Sequence, residues 1–137
     1  MSRSYIYRGV FMKKFNKYKS SKISQDMEKL NPYSIIHELL QGLNEHLSDS
    51  INSMNKGNLN NAKELAQKAE KIAYSLQNCL DFKEGGEIAD NLNYLYRHIR
   101  FATKIYIEKD KIDLMQSALF VSNEILEGWK GISSKVA

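Results

Sequence analysis

A chain of 137 residues that is 42% apolar and 26% charged lies in the globular range, and it is long enough for one domain with a core of its own. One cysteine, Cys79, excludes an internal disulfide and fits a reducing compartment. No stretch approaches the ~18 apolar residues of a membrane span, and the start lacks a signal-peptide core, so a cytoplasmic protein without membrane insertion is the expectation.

The net charge of +4 hides an asymmetry. Seven of the 20 basic residues (Arg3, Arg8, Lys13, Lys14, Lys17, Lys19 and Lys22) precede Asp26, the first acid. The rest of the chain holds 13 basic against 16 acidic residues, a net of −3. Residues 1–30 are therefore a basic arm, interleaved with Tyr5, Tyr7, Phe11, Phe15 and Tyr18. Such an arm is either a solvated or docked tail, or a contact for nucleic acid or an anionic membrane.

Helical periodicity begins at Asn31-Pro32, a suitable N-cap followed by a residue that fits the first turn. Ile35, Ile36, Leu39, Leu40, Leu43, Leu47, Ile51 and Met54 then recur at intervals of three and four, and Gly57 supplies a left-handed stop. The second helix starts near Asn60. Its stripe is rich in alanine (Ala62, Ala66, Ala69, Ala73), continues through Cys79 and Leu80, and is predicted to end at Gly85-Gly86. A third helix is predicted over 87–108, with Leu92, Leu95, Tyr96, Ile99 and Tyr106 on one stripe. The fourth is predicted to start from Asp110 as N-cap and to run past Trp129. With only one Pro and seven Gly in the whole chain, the pattern predicts an all-α fold: an antiparallel up-down four-helix bundle over 31–132, with a short N-terminal helix or strap before it and a tail over 133–137.

Catalytic and metal chemistry find little support. The residues three before His37, His46 and His98 are Ser34, Leu43 and Leu95, so the Glu-x-x-His pairs of di-metal bundles are missing. His37 and His46 are too far apart for a zinc-type i, i+4 couple. Cys79 lies on an apolar stripe and reads as a core residue, and no acid–base constellation converges. A protein that is not an enzyme and takes no cofactor or metal is expected. What stands out is apolar surplus on the last two helices: Tyr94, Phe101, Ile107, Ile112, Phe120 and Val121 lie beside the main stripes. Such excess marks a wider core or a second buried surface, for a partner, a dimer seam or the arm.

Five segments, in order, resemble the family of flagellar secretion chaperones FliS across roughly Tyr18 to Ile132. They are a Tyr near the N-terminus (Tyr18); Asn31-Pro32 leading to Leu39-Leu40-Gln41-Gly42; Gly85-Gly86 in a helix connection; Leu92-Asn93-Tyr94-Leu95-Tyr96; and a last helix through Glu127-Gly128-Trp129. Asn31 stands where the family usually has Ser, and Leu40 where many members carry a bulkier residue. The first 11 residues have no counterpart, and Met12 is an alternative start. The resemblance implies a cytoplasmic export chaperone that binds the disordered C-terminal segment of flagellin, prevents premature polymerisation and aids delivery to the secretion apparatus. An export gate or a co-chaperone is a further partner on this reading. The groove for flagellin is expected to draw on Ile35, Ile36, Leu39, Leu40, Tyr94, Leu95, Tyr96 and Ile99, with Tyr18 and Ile23 as a self-covering N-terminal segment. The protein is expected to be a monomer or a homodimer that does not bind nucleic acid. The alternative is a bundle that binds nucleic acid or anionic membrane through its arm.

Overall fold

The computed structural model describes residues 32–136; the basic arm, with Tyr18 and Ile23, lies outside the described residues. Four helices follow one another: α1 (Pro32–Asn55), α2 (Leu59–Asn78), α3 (Phe82–Lys109) and α4 (Met115–Val136). Connections this short force each helix to run antiparallel to the one before it. α1 packs on α2 and α4, and α3 packs on the same two, so the helices close a ring in chain order. α4 continues to Val136, through residues assigned to a tail from the sequence.

α1 ends as its sequence requires. Gly57 takes φ +80. Its N–H bonds to the Met54 carbonyl at 3.1 Å, and that of Asn58 reaches back to Ser53 at 2.9 Å, which satisfies carbonyls the helix end would orphan. Asn58 then caps α2, its side chain accepting from the Asn61 N–H.

Two boundaries differ from expectation. α2 stops at Asn78, not at the paired glycines. Cys79 and Leu80 stay buried while the backbone turns, and Asp81 caps the next helix by accepting from the N–H groups of Lys83 and Glu84, both at 3.1 Å. After one turn Gly86 breaks the helical path with φ +52 and ψ −126, and α3 resumes. Asp110 does not cap α4. It ends α3 in the left-handed conformation, φ +57, and its carboxylate pairs with Lys63 of α2. Asp is among the few residues that enter this region at modest cost.

The core is one cluster along the bundle axis. Leu40, Leu43 and Leu47 of α1 face Leu76 of α2, Tyr96 and Ile99 of α3 and Met115 of α4, all fully buried. The alanines of α2 carry no bulk, so the α1–α2 backbones come close enough for the Ser50 hydroxyl to donate to the Ala62 carbonyl at 2.6 Å. At one end Trp129 stacks on Tyr33 with ring centroids 5.4 Å apart, and its indole N–H donates to the Tyr33 carbonyl at 2.8 Å. That contact ties the start of α1 to the last turns of α4.

Candidate binding groove

The α3–α4 seam is the least closely packed of the four in the ring. Near the Trp129 end it opens into a cavity of about 210 Å³. α3 contributes Leu92 and Leu95 to one wall, α4 contributes Ile125, Gly128 and Trp129 to the other, and Leu40 with Tyr96 forms the floor. Glu124 is the one ionisable carboxylate at the rim. Gly128 leaves the α4 wall without a side chain at this point, and a Cβ on it would meet nothing within 4 Å. Trp129, fixed by its hydrogen bond to α1, holds the wall upright.

The sequence-predicted groove residues fall into three groups. Leu40, Leu95 and Tyr96 line this cavity. Ile35, Ile36 and Ile99 are buried, Ile99 completely, while Leu39 is half-buried against the core. Tyr94 is 72% exposed and points away from the groove, on the outer face of α3. Sequence reasoning did not single out Leu92, Ile125, Gly128 or Trp129 as groove members. The signal that could have found two of them was Gly128 beside Trp129, a small residue next to the largest one on a helix otherwise without a reason for glycine. Of the apolar surplus, Tyr94, Phe101, Ile112 and Phe120 remain exposed, whereas Ile107 and Val121 pack partly against the core.

The electrostatics of the cavity do not favour chemistry. Among the described residues no cluster of three His, Cys, Asp or Glu side chains is placed to hold a metal ion. Burial pushes the Tyr106 phenol above its ordinary value; Lys63 opposes that shift and Asp110 adds to it. Tyr106 lies at the opposite end of α3 from the groove. Among the described residues no helix is long and apolar enough to cross a membrane. An apolar slot with an aromatic wall is suited to holding an amphipathic segment.

A helical bundle with an apolar groove between two of its helices defines a surface that can hold a partner segment, and comparison with known proteins gives the family. The model of the family "Flagellar protein FliS" matches residues 14–136, so the chain belongs to the FliS family. It is 28% identical over 115 residues to the flagellar secretion chaperone FliS of Vibrio cholerae, covering 84% of this chain and 85% of that relative. It is 29% identical over 122 residues to the flagellar secretion chaperone FliSB of Pseudomonas aeruginosa, covering 89% of this chain and 97% of that one.

Proposed function

We propose that this chain is a cytoplasmic flagellar export chaperone that holds the disordered C-terminal segment of flagellin, prevents its premature polymerisation and helps deliver it to the secretion apparatus. The observation that carries the reading is the apolar groove of the α3–α4 seam, in a chain that belongs to the FliS family. A tail that is unstructured when free folds as an amphipathic helix with its apolar residues between Leu92, Leu95, Ile125 and Trp129. Part of the gross interaction energy is spent on ordering the tail, which leaves a moderate affinity and permits later release. Of the residues expected from sequence, Leu40, Leu95 and Tyr96 serve the groove directly. Ile35, Ile36, Leu39 and Ile99 serve it by setting the spacing of the helices beneath, and Tyr94, on the outer face of α3, takes no part in it. Tyr18 and Ile23 cover the groove when it is empty.

The test is Gly128→Leu. A Cβ at this position meets no neighbouring atom within 4 Å, so a side chain can be added beside the groove. Calorimetric titration with the C-terminal segment of flagellin should show at least a tenfold loss of affinity relative to the unaltered protein. Unchanged affinity would remove the groove from the reading.

A further inference from the structure

A second surface lies on the outer face of α3 and faces away from the groove. Tyr94, Arg97, Phe101 and Lys104 recur there at intervals of three and four, around a shallow hollow of about 470 Å³. Both rings are well exposed, Tyr94 at 72% and Phe101 at 57%. Exposed aromatic rings in a row are unusual for a surface with no partner. The cations beside them are free: among the described residues neither Arg97 nor Lys104 forms an ion pair. Arg100 is not part of the free set. It is bound to Glu70 at 2.9 Å and to Gln77 at 2.7 Å, and it lies over the Tyr74 ring. The stripe therefore presents two rings and two uncommitted positive charges on a rigid, buttressed helix.

We propose that this face docks an acidic amphipathic helix of another protein. Tyr94 and Phe101 are seven residues apart, about 10.5 Å along α3. A helix laid alongside repeats its own apolar residues at the same interval, and carboxylates three or four residues from them meet Arg97 and Lys104. Charge argues against the other occupants. The N-terminal arm of this chain carries seven cations and no acid before Asp26 and is repelled. A second copy docking α3 antiparallel on α3 about the middle of the stripe sets each Arg97 opposite a Phe101 and gathers four like charges, two Arg97 and two Lys104, in one seam with no acid to offset them. A nucleic acid strand stacks bases at about 3.4 Å, out of step with the rings. The inference does not rest on flagellin as the occupant of the groove.

Two synthetic helices of about three heptads test it, with identical leucine seams and either Glu or Lys at the flanking positions. Titrated by fluorescence anisotropy into the full chain, the Glu helix should bind at least tenfold more tightly than the Lys helix, and the preference should shrink as salt is raised. Arg97→Glu with Lys104→Glu should invert the order of the two helices. Phe101→Ser should weaken the Glu helix at least tenfold. All three residues are exposed, so thermal melting of the variants should match the unaltered protein. Equal affinity for both helices, or an order that the charge reversal leaves intact, overturns the proposal. So does tight binding of a poly(U) strand that the charge reversal abolishes, or a dimer of the chain that Phe101→Ser dissolves.

Discussion

Gly86 and Gly131 separate the two reasons a helix carries glycine. Gly86 holds φ +52 and ψ −126, where an L side chain is strained even though the space around it is open. Gly86→Ala should lower stability by ~1–3 kcal/mol, measured by urea unfolding. Gly131 sits inside α4 with a negative φ and open space at its Cβ, so Gly131→Ala should raise stability by ~0.5–1 kcal/mol in the same experiment. Tyr106 is a different case. Its hydroxyl is buried and has no hydrogen-bond partner among the described residues, and burial raises its pKa. The folded state thus prefers the neutral phenol more than the unfolded state does. Its contribution is fully present below the unfolded pKa near 10 and is lost as pH rises through that value toward the folded one. Tyr106→Phe should be as stable as the parent or more so, by about 1 kcal/mol, because it removes an unpaired polar atom. Its melting temperature should fall less than the parent's between pH 9 and about 11.

At the scale of the element, α4 explains why the groove exists. It buries Met115, Ala118, Leu126 and Trp129 on one stripe, and it leaves a gap against α3 where Gly128 replaces a side chain. A Cβ at Gly128 meets no neighbour within 4 Å, so adding a side chain there should not unfold the bundle. Gly128→Leu should melt no lower than the parent, and a gain of ~0.5–1 kcal/mol is expected from helix propensity alone. A lower melting temperature would mean that the seam cannot accept a side chain, and the loss of binding by that variant would then say nothing about the groove. The same helices show what the sequence makes legible. The stripe of α1 could be read residue by residue, since three- and four-residue spacing is a direct projection of helix geometry. The α2 stop could not: Cys79 and Leu80 continue the apolar pattern while the backbone has already turned, and the true signal was Asp81. Asp110 has the chemistry of an N-cap, and its left-handed role at the end of α3 depends on its own φ, which composition does not encode. The groove was half legible. Completely buried Ile99 and half-buried Leu95 are both apolar on the same helix, and only packing against α4 separates core from wall. The bond from Trp129 to the Tyr33 carbonyl spans 96 residues and has no local trace.

At the scale of the molecule, the four seams of the bundle are not equally packed, and α3–α4 is the loosest among the described residues. α1–α2 is sealed by alanines and the Ser50 bond. α1–α4 is tied by Asn44 donating to Ser122 at 3.1 Å and by the Tyr33–Trp129 stack. α2–α3 is held by the Arg100, Glu70 and Gln77 network. The α3–α4 seam is joined by the His98–Ser117 hydrogen bond at 2.9 Å, and beside Trp129 it leaves a groove able to accept a segment. The charge distribution divides the molecule in a second way, into a basic arm and a mildly acidic remainder. If the arm were the working part, binding would depend steeply on salt through counterion release. If the groove is, binding should track apolar burial and carry a negative heat-capacity change.

The measurement that separates these is calorimetric titration of the full chain with the last ~40 residues of a flagellin from the same source, at low and at high salt and at several temperatures. The account predicts saturable one-to-one binding with a negative heat-capacity change and little dependence on salt. No heat at high protein concentration, or binding that disappears as salt is raised, would contradict it.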